Sequence, residues 1–141
     1  MELLEVIERV TSKVAPGRAP SFTEAHAIKA LEIIGGEETV GRMRLSKELG
    51  LGEGATRTLV KHMKNEGIIK VSKYGILLSE YGKKLFSGLR SRISEGVEVP
   101  PSPLTVGPFN VAVLVRDAAR AVNMGLEQRD TAIKAGALGA T

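Results

Sequence analysis

Residues 44–82 read RLSKELGLGEGATRTLVKHMKNEGIIKVSKYGILLSEYG, and their pattern decides the fold. A helix from Arg42 to Leu49 is expected to close at Gly50. A second, from Glu53 to Glu66, places Thr56, Leu59, Val60 and Met63 at the i, i+3, i+4 and i+7 spacing of one buried face, and Gly67 ends it. The apolar runs Ile68–Val71 and Ile76–Leu78 flank Ser72-Lys73-Tyr74-Gly75, the sign of a short hairpin. Ser79 then caps a helix from Glu80 to about Ser94 with Leu85, Phe86, Leu89 and Ile93 on one stripe. Helix, tight turn, helix, hairpin, helix: in this order the first helix props an exposed second one, and the hairpin (68–78) projects beside it.

Charge follows the same boundaries. From Gly54 to Arg92 the chain carries nine bases (Arg57, Lys61, Lys64, Lys70, Lys73, Lys83, Lys84, Arg90, Arg92) against two acids (Glu66, Glu80), a local balance of +7 within a net charge of +4. Segregation of this kind is the footprint of a polyanion partner, against the plain alternative of a solvated helical face. With Thr56, Leu59, Val60 and Met63 inward, helical steps put Gly54, Arg57, Thr58, Lys61, His62 and Asn65 outward. Arg57 and Lys61 are the candidates for base or phosphate contact, since a guanidinium grips guanine through two hydrogen bonds. Thr58, His62 and Asn65 share that face, and Lys70, Lys73 and Tyr74 lie on the hairpin or its tip, where phosphate contact is the natural role. Double-stranded DNA is the expected partner, with the 53–66 helix in the major groove.

Outward from this centre, Leu3, Ile7, Val10 and Val14 form an apolar stripe on a helix from Glu2 to about Lys13. Pro16, Gly17 and Pro20 interrupt it. Ser21-Phe22-Thr23-Glu24 reads as a capping box with Ser21 at the cap, opening a helix with Ala27, Ile28, Leu31 and Ile34 inward that stops at Gly35-Gly36. Thr39-Val40 is expected to be a short extended piece. On the other side, Pro100, Pro101 and Pro103 make 96–105 a semi-rigid linker. Phe109–Val115 (FNVAVLV) is of strand length and apolar enough for a strand covered on both faces, Asp117 caps a short helix to Met124, and Glu127–Leu138 forms another. One strand and two helices cannot bury their own apolar faces, so this segment either pairs with another chain or is part of something longer. The domain reading is 1–95 helix-turn-helix with wing and N-terminal helical extension, 96–105 linker, and 106–141 a short, partial α/β segment. The fold class is mainly α with a small β wing.

Composition sets limits. The chain has 141 residues, 43% hydrophobic and 26% charged, with aromatics at 4%, which suits one globular aliphatic core and not a base-stacking platform. With no Cys and two His, disulfides, zinc ribbons and cysteine nucleophiles are excluded; no metal site and no cofactor is expected. No apolar run reaches membrane-span length, and the acidic N-terminus is not a targeting peptide, so a cytoplasmic protein without a membrane partner is expected.

At the quoted residues the sequence resembles the winged helix-turn-helix family of prokaryotic transcription regulators. Leu45, Leu49 and Leu51 fall where that family places its inter-helix leucines, and Gly67-Ile68-Ile69 where its wing begins. Leu78-Ser79-Glu80-Tyr81-Gly82 is similar to its exit from the wing. The resemblance implies a transcription regulator that binds DNA sequence-specifically; with no acid/base pair, phosphate loop or nucleophile motif in the sequence, an enzyme is not expected. One departure matters: Gly52-Glu53-Gly54 replaces the Ser or Thr that commonly caps the recognition helix, and Glu53 brings a negative charge to that end. More loosely, the arrangement is similar to uncharacterised archaeal proteins joining such a domain to a C-terminal α/β domain of unknown function, which implies an effector-sensing role. Arg116, Asp117, Arg120 and Arg129 are the candidates for holding a small anionic effector. Gly82, Phe86, Leu89 and Ile93 repeat the spacing of the N-terminal stripe, so a homodimer is expected if the stripes meet between copies, and none if they pack within one. The alternative to DNA binding is a winged-helix protein-interaction module.

Overall fold

The computed structural model describes residues 2–12 and 21–141, and the chain divides into two compact units, Met1–Leu89 and Arg90–Thr141. The first contains helices α1 (Glu2–Thr11), α2 (Glu24–Gly35), α3 (Arg42–Leu49) and α4 (Glu53–Asn65), strands β1 (Ile69–Ser72) and β2 (Gly75–Leu78), and most of helix α5 (Glu80–Arg92). This is a winged helix-turn-helix unit. Its order and bounds follow the periodicity and the glycine punctuation closely.

The core is aliphatic because the chain has almost nothing else to bury. Leu3, Val6, Ile7 and Val10 of α1, Ala27, Ala30, Leu31 and Ile34 of α2, Leu45 and Leu49 of α3, and Leu59, Val60 and Met63 of α4 are all buried. Ile28, expected inward, is only half-buried, and Ala30 takes the interior place. Full burial of a Val, Leu or Ile side chain contributes about 1.5–3 kcal/mol, so helix α1 is strongly held. It packs against α2 and α4 within its own unit. The second stripe is also consumed internally: Leu85 and Leu89 are buried, Gly82 abuts Ile68, and the Phe86 ring lies over Gly35. The two-fold interface expected from these stripes is therefore not where their apolar residues go. Val14, Pro16, Gly17 and Pro20 lie outside the described residues.

The N-cap of α2 is Thr23, not Ser21. The Thr23 amide donates to His26 Nδ1 at 3.0 Å, so the third residue of the helix supplies the return bond. Ser21-Phe22 stays out of the helix because Phe22 is buried, edge-on to the His62 ring with centroids 5.8 Å apart.

The wing is a two-stranded antiparallel hairpin with Ile69 opposite Leu78 and Ser72 opposite Gly75. Val40 adds an isolated bridge to Ile76, its amide and carbonyl both bonded at 2.8 Å, so the extended piece before α3 closes the sheet on one side. Gly75 is needed there: its φ is +134°, and a Cβ would lie 2.9 Å from the Val40 oxygen. Ser72 shapes the turn, its hydroxyl accepting the Tyr74 amide and donating to the Gly75 carbonyl, both at 3.1 Å. Ser79 returns the chain to helix. Its Oγ accepts the Gly82 amide at 3.0 Å while its hydroxyl points at the Gly67 and Ile68 carbonyls.

The second unit has strands β3 (Val97–Val99) and β4 (Asn110–Ala112), a 3-10 turn at Ala119–Ala121 and helix α6 (Leu126–Lys134). The proline-rich stretch is thus partly strand, since β3 pairs antiparallel with β4. The ladder is short because Pro100 and Pro108 have no amide to donate. The 109–115 run is not a strand covered on both faces: Phe109 is 94% exposed and Val111, Val113, Leu114 and Val115 are exposed too. Beyond β4 the run turns to the exit of α5, with the Arg116 amide on the Arg92 carbonyl at 2.7 Å. Asp117 does not cap a helix. Its φ is +55°, a turn conformation that Asp tolerates, and Gly125 occupies the N-cap of α6. No described residue after Leu89 is buried. Among the described residues no helix is long and apolar enough to cross a membrane.

Candidate nucleic-acid interface

Helix α4 starts at Gly52, whose backbone is extended (φ −68°, ψ 163°) and whose missing side chain leaves the first turn without a side-chain acceptor. Thr56, fully buried, donates its hydroxyl to the Gly52 carbonyl at 2.9 Å, so a polar residue sits in the core without an unmet bond. With this face locked inward, Gly54, Arg57, Thr58, Lys61 and Asn65 are exposed together. Arg57 and Lys61 are four residues apart on one face, about 6 Å along the axis. Thr58 spends its hydroxyl on the Gly54 carbonyl at 3.1 Å, keeping a lone pair for an outside donor.

The wing presents the rest. Lys70, Lys73 and Tyr74 are exposed, Tyr74 to 74%. Lys73 Nζ lies 5.0 Å from the Tyr74 ring centroid, a cation–π contact that keeps the ammonium at the tip.

Counter-charges are sparse on this face. Four cations elsewhere are paired: Arg9 with Glu66 at 3.1 Å, Arg44 with Glu37 at 2.8 Å and Glu48 at 3.3 Å, Lys83 with Glu80 at 3.2 Å, Arg129 with Asp130 at 3.1 Å. Both neighbouring carboxylates, Glu37 first, hold the Arg44 guanidinium above its ordinary value. Among the described residues, Arg57, Lys61, Lys64, Lys70 and Lys73 have no carboxylate within ion-pair distance. Exposed pairs of this sort contribute little to stability, so the relevant consequence is the field. Glu66, the acid at the C-cap of α4, is neutralised by Arg9; Glu53, in its first turn, is exposed. A carboxylate there is favoured by the helix dipole, and it sits where a phosphate would be repelled.

One of the expected outward residues is turned away. His62 is half-buried, and its Nδ1 lies 2.7 Å from the Val10 carbonyl, with Phe22 against its ring. A simple helical projection could not find this, because Val10 is 52 residues distant in sequence. The effector candidates Arg116, Asp117, Arg120 and Arg129 are all exposed, and Arg129 is bonded to its neighbour Asp130. Among the described residues no group of three or more His, Asp or Glu is placed to hold a metal ion.

Residues 26–93 match the family model described as the CggR N-terminal DNA binding domain, and residues 106–141 match that of a domain of unknown function (DUF4443). Among solved structures, the chain is similar to a hypothetical protein from Pyrococcus horikoshii OT3, at 28% identity and a TM-score of 0.69 over 84% of the present chain. The match spans 59% of that chain's length. No curated protein matches. The chain therefore joins a segment similar to a DNA-binding domain to one similar to a domain without assigned function.

Proposed function

We propose that the chain binds double-stranded DNA sequence-specifically as a transcription regulator, with α4 in the major groove and the wing along the flanking backbone. The observation that carries this is the set of exposed cations on α4 and the wing, Arg57, Lys61, Lys64, Lys70 and Lys73, none of which has a carboxylate within ion-pair distance among the described residues. Release of counterions from DNA rewards such a surface. The match of residues 26–93 to a DNA-binding domain supports the same reading. Arg57, Lys61, Thr58 and Asn65 face the groove, where Arg57 and Lys61 reach base edges and the phosphates beside them, and Lys70, Lys73 and Tyr74 face the sugar-phosphate chain. The protein acts by binding and not by catalysis, and its place of work is the cytoplasm.

Fluorescence anisotropy with labelled duplexes tests this. Each phosphate neutralised contributes about −0.9 to the slope of log affinity against log salt, so contacts by Arg57, Lys61, Lys70 and Lys73 give about −3.6. A fourfold rise in salt then weakens binding roughly 150-fold. Replacing Arg57 and Lys61 together by Ala lowers the slope to about −1.8. Absence of binding at low salt, or a slope unmoved by the double substitution, overturns the proposal in favour of a protein-interaction module. Selection from a random duplex pool reads specificity: loss of a bidentate arginine–guanine contact in Arg57→Ala relaxes one position by about 1–3 kcal/mol.

A further inference from the structure

We infer that α1 is a latch on the recognition helix and that His62 is a positioning residue for DNA binding, not a DNA contact; this rests on the function proposed above. Helix α1 (Glu2–Thr11) lies outside the residues matched to the DNA-binding domain, 26–93. It is nonetheless tied to its neighbours by three polar links, two to α4 and one to α5. Val10 accepts from His62 at 2.7 Å, Arg9 pairs with Glu66 at 3.1 Å, and Glu2 accepts from the Tyr81 hydroxyl at 3.0 Å.

The His62 bond has a fixed sense. A carbonyl only accepts, so His62 Nδ1 carries a proton. The bond also meets a need of α1, whose last carbonyls have no partner within the helix. Thr11 hydroxyl serves Ile7 and Glu8, Ser12 serves Arg9, and His62 serves Val10. On its other side Phe22 stands edge-on to the ring. His62 follows Lys61 directly, so what holds His62 fixes how the outer face of α4 is turned. Arg9 acts at the end of the same helix: it offsets a carboxylate at the negative pole of α4 and removes that charge from the DNA-facing field.

The test compares His62→Leu with His62→Asn, whose amide can donate from a position close to Nδ1. Freed from its latch, α4 spends less time in the competent orientation, and apparent affinity falls by that fraction. Loss of one such bond makes this about five-fold in His62→Leu, with the salt slope unchanged, and His62→Asn recovers most of it. A slope reduced by about 0.9 in both variants shows His62 on a phosphate and overturns the inference, as does unchanged affinity in His62→Leu. Amide exchange along α4 in the free protein reads the latch without DNA. Faster exchange at Lys61–Asn65 in His62→Leu, restored in His62→Asn, is expected even if no duplex binds, whereas unchanged exchange overturns the latch. If His62→Leu does not fold, His62→Gln, whose amide reaches the Nε2 position and not that of Nδ1, gives the same exchange readout.

Discussion

Gly82→Ala is the substitution whose cost can be worked most directly from the structure. A Cβ at this position falls 2.0 Å from the Ile68 carbonyl oxygen and 3.3 Å from Leu78 Cβ. Carbon and carbonyl oxygen approach no closer than about 3.3 Å, so the first turn of α5 must retreat by roughly 1.3 Å. That same oxygen accepts the Ser79 amide at 2.9 Å and the Ser79 hydroxyl at 3.0 Å. A retreat of this size breaks both, at about 1 kcal/mol net each, and residual overpacking adds about 1–3 kcal/mol. Alanine returns about 1 kcal/mol of helix propensity, leaving a net loss of roughly 2–4 kcal/mol. In a domain of this size, that lowers Tm by roughly 10–30 °C. Gly88→Ala on the same helix is the control. Among the described residues outside its own helix backbone nothing lies within 4 Å of its Cβ position, and it is expected to stabilise by up to about 1 kcal/mol. Urea unfolding followed by circular dichroism measures both. A Gly82→Ala protein within about 0.5 kcal/mol of the wild type would refute the close-approach argument.

Gly75→Ala is expected to open the Val40–Ile76 bridge, at about 2–3 kcal/mol for a strained residue with a clash, and amide exchange at Val40 and Ile76 should accelerate while α3 and α4 keep their protection. Burial, with a further push from its bond to Glu2, raises the Tyr81 phenol above its ordinary value near 10. The neutral phenol is therefore the form the folded state favours: its contribution is complete below the unfolded value and is lost as pH rises through the folded one. An alkaline titration of stability should show this loss in the wild type and a flatter profile in Tyr81→Phe.

Helices α3 and α4 were legible almost to the residue, because glycines bound them and their buried faces follow one period. Thr56, Leu59, Val60 and Met63 are the inward set on both readings. The cap of α2 was misplaced by two residues because local pattern cannot weigh the burial of Phe22 against a helical start at Ser21. Periodicity also cannot tell a partner within the subunit from one in another copy, and Leu3, Ile7, Val10 and Leu89 of the two stripes are buried within one subunit. The Phe109–Val115 run shows the opposite failure. Its composition suits a covered strand, but among the described residues of its unit no buried layer covers it. At the interface, exposure of Arg57, Thr58, Lys61 and Asn65 follows from helical geometry alone, whereas the turning-in of His62 depends on a carbonyl far away in sequence.

That long reach bears on the order of assembly. The links from α1 span 52, 57 and 79 residues, to His62, Glu66 and Tyr81. Contacts of large sequence separation form late, after the local helix pairs and the hairpin have condensed. During synthesis, Val10 and Arg9 must wait until α4 has left the ribosome, with Leu3, Val6, Ile7 and Val10 only partly covered by α2 in the meantime. The links between α1 and α4 are thus among the last the chain completes, and a nascent or partly folded copy would carry the basic residues of α4 before it carries those links.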